Sequence, residues 1–203
     1  MPINCKVVAL GNQPMHVLAT SVREQILVRT SEEEHRKRFP DYEWKRLSHA
    51  MSRLRSGRKR VLEVGPGRGY LTRMLLKSRR FEEVHTIDIV ARALPSTANF
   101  RELSIDRLDW PDGYFDAVVC MEVLEHLPDG VLAAGLEQIR RVCSGQLLMS
   151  VPYCEPLPLP SYHIQRFDED RIQATFPGAK LSLLLKEPVT RVPWMLIEER
   201  FDA

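Results

Sequence analysis

The sequence predicts an α/β protein built on a doubly wound, mostly parallel sheet with helices on both faces. Three observations carry that expectation. Residues 61–69, Val-Leu-Glu-Val-Gly-Pro-Gly-Arg-Gly, join a short apolar run to three glycines at alternate positions. The run reads as a buried strand and residues 70–77 read as a helix, so the glycines make a strand-to-helix turn open to a ligand. From residue 59 onward strand-like and helix-like segments alternate, as a parallel sheet with crossover helices requires. The runs at 181–185 and 195–200 leave no room for a crossover helix between them, and they read as an antiparallel pair on the sheet edge.

In chain order, residues 5–10 are compatible with a short strand and residues 11–14, Gly-Asn-Gln-Pro, with a turn. Residues 22–28 fit a strand or one helical turn. Ser31 followed by Glu34 matches a capping box, opening a helix that stops near Pro40. A second helix is expected over 41–55, with Trp44, Leu47, Met51 and Leu54 at spacings of three to four and Gly57 ending it. Residues 1–57 therefore read as an N-terminal extension or lid, and 58–203 as the ligand-binding domain. Within that domain the expected strands are 60–64, 84–89, 100–104, 115–120 and 146–151. The expected helices are 69–79, 131–143 (after Asp129 as cap) and 168–175.

The chain has 203 residues, 44% of them hydrophobic and 28% charged, which suits one globular domain with a buried core. No apolar stretch is long enough to span a membrane and the N-terminus lacks a signal-peptide pattern, so the expected compartment is the cytoplasm. Cys5, Cys120, Cys143 and Cys154 are scattered and support neither a disulfide framework nor a zinc site; Cys120 and Cys143 read as small core residues. Net charge is +2, yet residues 23–60 hold twelve Lys/Arg against six Asp/Glu. That segment is a solvated helical face or a surface for an anionic substrate or nucleic acid. It lacks the interleaved aromatics that stack single-stranded bases.

The glycine loop departs from the dinucleotide fingerprint, because the third glycine falls one residue early and Tyr70 stands in its place. It also lacks the Gly-Lys-Ser/Thr ending of a phosphate-cradling loop. Asp88, which closes the second strand, lies about twenty residues past the loop, where an acid accepts both ribose hydroxyls of an adenosine-type ligand or caps the next helix. Two further blocks follow. One is residues 104–119, from Ser-Ile-Asp-Arg-Leu-Asp-Trp to Asp116 at the entrance of the fourth strand. The other is residues 120–129, Cys-Met-Glu-Val-Leu-Glu-His-Leu-Pro-Asp.

Glu63-x-Gly65-x-Gly67-x-Gly69 resembles the first motif of class I S-adenosylmethionine (SAM) dependent methyltransferases. With Asp88 and the two later blocks it gives four matches in order, similar to the type-11 methyltransferase domain over residues 60–151. The resemblance implies a Rossmann-like sheet of seven strands, the last antiparallel, with SAM as cofactor. It places Glu63 near the ligand's ammonium, Gly65, Gly67 and Gly69 against the ligand, and Asp88 and Ile89 at the adenosine. An acid after the third strand is expected near the adenine amino group, with Ser104 and Asp106 as alternatives, and Met121 lies beside the methionine part. Asp116 is expected to be structural.

A sulfonium is a pre-activated leaving group, so methyl transfer needs alignment and exclusion of water, plus a base when the acceptor carries a proton. His163, straight after the fifth strand, and His126 are the candidate bases; His163 could instead pack a hinge, and His126 could make a structural hydrogen bond. Glu122-x-x-Glu125-His126 with His163 also resembles the metal-binding pattern of small-RNA 2′-O-methyltransferases and ubiquinone-pathway O-methyltransferases. The same Glu-His-Leu occurs in metal-free relatives, and no metal is assigned. Residues 151–160 hold four prolines and read as a stiff pocket wall or a rigid connector, with Tyr153 and Tyr162 as acceptor contacts. Tyr42, Trp44 or His35 could reach the acceptor from the N-terminal helices.

The expected function is methyl transfer to oxygen or nitrogen of a small acceptor, a saccharide or other metabolite. An Asn/Asp-Pro-Pro-Tyr/Phe block is absent after the fourth strand, which argues against amino methylation of bases or glutamine. An RNA or protein methyltransferase using residues 23–60 and a non-catalytic SAM-fold binding protein are the rival readings. Oligomeric state is not legible.

Overall fold

The computed structural model describes residues 41–55, 58–92, 94–184 and 192–201, with backbone only at 41, 42 and 58. The expected strand at 5–10, the Ser31/Glu34 helix, His35 and the Tyr42 side chain lie outside these residues. The elements are α1 (Asp41–Arg53), β1 (Arg58–Val64), α2 (Tyr70–Ser78), β2 (Phe81–Asp88), β3 (Asn99–Glu102), β4 (Phe115–Met121), α3 (Asp129–Val142), β5 (Cys143–Pro152), α4 (Glu169–Thr175), β6 (Lys180–Leu184) and β7 (Trp194–Arg200). One-turn 3₁₀ helices cover Ile105–Arg107 and Leu124–His126.

The strands form one sheet in the order β3-β2-β1-β4-β5-β7-β6. β1 pairs in parallel with β2 and β4, β2 with β3, and β4 with β5. β7 runs antiparallel between β5 and β6, so six strands share one direction and the last opposes them. The seven-stranded, Rossmann-like sheet and its antiparallel edge pair are those expected. After β3 the chain returns to the far side of β1 to lay down β4. That reversal opens a crevice at the carboxyl ends of β1 and β4, where such sheets hold ligands.

Strand alternation sorts the core onto the two faces. Leu62 and Val64, Val118 and Cys120, and Leu147, Met149 and Val151 pack beneath α3 and α4 with Leu136, Ile139 and Phe176. Val61, Ala117, Val119 and Leu148 face the other way, against Trp44, Leu47, Met51 and Leu54 of α1 and Leu71, Met74 and Leu75 of α2. The helical spacing read in 41–55 thus marks a face that covers the sheet. Trp44, one of the three residues that could reach the acceptor, is only 7% exposed and packs in this core. Gln146 fastens the end of α1 to the sheet: its Nε2 donates to Arg53 O at 2.9 Å and its Oε1 accepts from the Arg55 N–H at 3.1 Å. At the same edge of the sheet, where β1 begins, Asp116 Oδ2 accepts from the Lys59 and Arg60 amides at 2.9 and 2.8 Å, the structural role expected for it.

Several local expectations need correction. α3 begins at Asp129 behind Pro128, so Asp129 lies in the first turn instead of capping it. Its Oδ1 accepts from Gln165 and Arg171, both at 3.1 Å, bonds to a distant segment that sequence spacing does not reveal. Cys143 starts β5, where 131–143 was expected to be all helix. Cys120 and Cys143 are buried, as expected, and Cys154 is disulfide-bonded, which the sequence reading did not foresee. No helix among the described residues is long and apolar enough to cross a membrane.

Candidate active site

The crevice has two sides. On the first, β1 ends in the glycine loop, and all three glycines adopt the left-handed region, with φ of 67°, 52° and 71° at Gly65, Gly67 and Gly69. A Cβ on Gly65 would lie 2.5 Å from Val123 Cγ2, across the crevice, so this glycine lets the β1 and β4 termini approach. A Cβ on Gly67 would meet nothing within 4 Å, so this glycine faces open space. The Gly69 amide donates to Pro66 O at 2.7 Å, and Arg73 Nη1 donates to the Arg68 and Gly69 carbonyls at 2.9 and 3.0 Å. Arg73 is a brace on the loop that the motif did not indicate.

Glu63 points beneath this loop, 3% exposed, and Thr72 Oγ1 donates to its Oε2 at 2.6 Å. Burial pushes its carboxyl from the usual 4.5 up to about 7, with the Thr72 hydrogen bonds pulling the other way. Asp88 ends β2 at the same edge of the sheet. Its carboxylate accepts from Arg92 Nε at 2.7 Å and from the Val90 amide at 3.3 Å. Ile89 follows it, outside β2 and 70% exposed. After β3, which stops at Glu102, Ser104 Oγ donates to Asp106 Oδ1, and that bond holds the Asp106 carboxyl below its ordinary range. The two alternatives for the acid after the third strand are therefore partners in one hydrogen bond.

The second side is made after β4 and β5. Met121 is the last residue of β4 and 8% exposed. Glu122 has φ 55°, an uncommon conformation for a side chain of its size. Its amide donates to Ser150 O at 3.0 Å, Ser150 Oγ donates to its Oε1 at 2.9 Å, and Arg46 Nη1 of α1 pairs with its Oε2 at 3.0 Å. Glu125 is 1% exposed, and its carbonyl accepts from the Ile164 and Gln165 amides at 2.8 and 2.9 Å. This docks the loop carrying His163 onto the turn carrying His126. The two rings lie 5.0 Å apart, centroid to centroid.

Each imidazole is held through Nδ1. For His126 the partner is Tyr162 O at 2.7 Å, and for His163 it is Glu155 Oε2 at 2.6 Å. The His163 and Glu155 side chains are both only 10% exposed. Arg166 Nε donates to Glu155 O at 2.9 Å and steadies that residue. A carboxylate only accepts, so Nδ1 is the donor in this pair, and in the neutral ring Nε2 is then the acceptor nitrogen that a general base needs. Sequence reading missed Glu155, since no spacing rule links an acid in a proline-rich loop to a histidine eight residues on. Tyr153 was expected to contact the acceptor; it is 6% exposed and packed in the main core, bridged to Phe167. Tyr162 is 65% exposed and stays at the rim.

Among the described residues, one donor atom from each of Glu125, His126 and His163 lies within 4.8 Å of the others. Glu122 stands apart from this trio through its bonds to Arg46 and Ser150. One carboxylate and two imidazoles, each with its second nitrogen held, suit a divalent cation.

A glycine loop under a topological switch point, with an acid ending the next strand, defines a protein with the class I SAM-dependent methyltransferase fold. A family model described as a methyltransferase domain matches residues 33–187, and the chain belongs to that family. Over 114 residues it is 37% identical to the ubiquinone biosynthesis O-methyltransferase of Methylococcus capsulatus, covering 47% of each chain. It is 33% identical over 106 residues to the malonyl-[acyl-carrier protein] O-methyltransferase of Halorhodospira halophila, covering 48% of this chain and 35% of that protein. The chain thus spans half or less of the length of these relatives. In fold it is similar to the Burkholderia thailandensis 1,6-didemethyltoxoflavin-N1-methyltransferase, solved with its acceptor and S-adenosylhomocysteine (TM-score 0.65, 17% identity, 97% of this chain and 94% of that one). It is also similar to the N-methyltransferase NodS of Bradyrhizobium japonicum (TM-score 0.63, 15% identity, 81% and 99% covered).

Proposed function

We propose that this methyltransferase moves the methyl group of SAM to a hydroxyl of a small-molecule acceptor, with His163 as the base. The observation that carries the reading is the largely buried His163–Glu155 pair beside Glu125 and His126, on the crevice wall made after β4 and β5. The names of the matched relatives favour oxygen as the acceptor atom over nitrogen. Bound SAM supplies a methyl on a positively charged sulfur, open to in-line attack. Gly65, Gly67 and Gly69 would line the cofactor, Asp88 would accept from its ribose hydroxyls, Ile89 and Asp106 would lie at its adenosine, and Met121 at its methionine part. Glu63 counters its ammonium. His163 Nε2 would take the proton of the acceptor hydroxyl as the methyl group passes from sulfur to oxygen, leaving S-adenosylhomocysteine, and Glu155 would stabilise the resulting imidazolium. His126 orders the loop through Tyr162.

The close grouping of Glu125, His126 and His163 favours a second reading, in which these residues hold a divalent cation that polarises the acceptor hydroxyl. One experiment separates the readings: transfer of labelled methyl from SAM to a panel of hydroxyl and amine acceptors, with and without chelator, for wild type and His163→Ala. Transfer that survives chelation and is lost in the variant supports the base. Loss on chelation, restored by added Mg²⁺ or Mn²⁺, supports the metal. A protein that binds S-adenosylhomocysteine, methylates no small acceptor and binds RNA with steep salt dependence would overturn the small-molecule reading.

A further inference from the structure

Asp88, the acid set for the ribose, is already occupied. Arg92 Nε donates to Oδ2 at 2.7 Å and the Val90 amide donates to Oδ1 at 3.3 Å. The Asp88 side chain is 9% exposed while Arg92, four residues on, is 39% exposed. Among the described residues Asp88 is the only ion-pair partner of Arg92. The Asp88 backbone is anchored independently, because its carbonyl accepts from the Leu103 amide at 2.9 Å. The Asp88 backbone therefore keeps its place without Arg92, whereas Arg92 lies on the surface close to the exposed Ile89 and Val90.

We propose that Arg92 is an affinity-determining latch, a built-in competitor that the cofactor ribose displaces from Asp88. The inference rests on Asp88 being the ribose acceptor. Two vicinal hydroxyls need both carboxylate oxygens, and the Arg92 Nε–H already takes up acceptor capacity on Oδ2. Binding exchanges a charge-assisted bond for neutral O–H donors, and the released Arg92 is solvated where it already emerges. The pair is partly exposed and screened, so the latch weakens cofactor binding without preventing it. It keeps Asp88 paired whenever the site is empty, and it makes cofactor affinity depend on ionic strength.

The test is calorimetric titration with S-adenosylhomocysteine of wild type, R92A, D88A and the D88A/R92A double variant, at about 50 mM and about 500 mM NaCl. R92A is expected to bind about 3- to 10-fold more tightly than wild type at low salt, with the gap narrowing at high salt. In the D88A background the Arg92 substitution should change nothing. An R92A affinity equal to or weaker than wild type, in a protein with unchanged circular dichroism, overturns the latch and leaves the cofactor site standing. If neither protein binds while both are folded, the cofactor reading falls and the latch with it.

Discussion

The two walls of the crevice are assembled by different means. The glycine-loop wall takes its groups from residues 63–106, and much of it is backbone: three left-handed glycines, the Gly69–Pro66 turn and the Arg73 brace on two carbonyls. The facing wall is made of side chains from distant segments. Glu122 is held by Arg46 of α1 and Ser150 of β5, and His163 by Glu155, with Glu125 docking one loop on another. A wall of backbone can receive the same cofactor whatever the acceptor. A wall of loop side chains can be changed without disturbing the fold. The difference separates a wall fixed by the backbone from one that side chains can vary, and on the proposed function the acceptor would be chosen by the second.

Substitutions on each wall should therefore separate. The largest effect belongs to the facing wall. His163→Ala should lower methyl transfer by about 10²- to 10⁴-fold while S-adenosylhomocysteine binding by calorimetry stays as in wild type. Glu155→Gln should lower transfer less and shift its pH profile, as expected of a positioning residue. A parallel loss of cofactor binding would join the two walls and break the comparison.

Next come the glycines. Gly65→Ala combines a left-handed φ with a 2.5 Å approach to Val123 and should cost about 2–4 kcal/mol of stability, read by thermal or denaturant unfolding. Gly67→Ala has free space around it and should cost only the left-handed backbone strain, about 1–2 kcal/mol, yet weaken the cofactor more than its stability cost suggests. Asp88→Ala should weaken S-adenosylhomocysteine by about 10- to 100-fold, the scale of lost hydrogen bonds to a charged group.

A further effect concerns pH. Glu63, with its carboxyl raised to about 7 by burial, is largely neutral below that pH, and a cofactor ammonium favours its ionised form. Binding then releases a proton, so affinity should rise about tenfold from pH 6 to pH 8 and level off, a trend that Glu63→Gln abolishes. The sign for stability is the reverse. The unfolded chain ionises near 4.5, so the empty protein should lose stability between about pH 4.5 and 7 relative to the Gln variant, by up to about 3 kcal/mol. A flat pH profile would mean that Glu63 stays neutral with ligand bound.

Much of this could be read from the chain, and the limits follow a physical line. Strand alternation from β1 to β5, the glycine turn, Asp88 at a strand end and the terminal antiparallel pair are local patterns. They are dictated by burial period, allowed φ and the length needed for a crossover. The same local logic located His163 after the fifth strand and marked the buried face of 41–55.

Tertiary structure decided the partnerships. The strand order brings Glu122 against Ser150 and Arg46, carries Asp129 to Gln165 and Arg171, and sends Tyr153 into the core while leaving Tyr162 at the rim. Glu155 became the partner of His163, and Arg92 the occupant of Asp88, only through folded loops. Short-range backbone requirements leave a mark in residue spacing. The meeting of two side chains from different loops depends on the whole sheet, and no spacing along the chain records it.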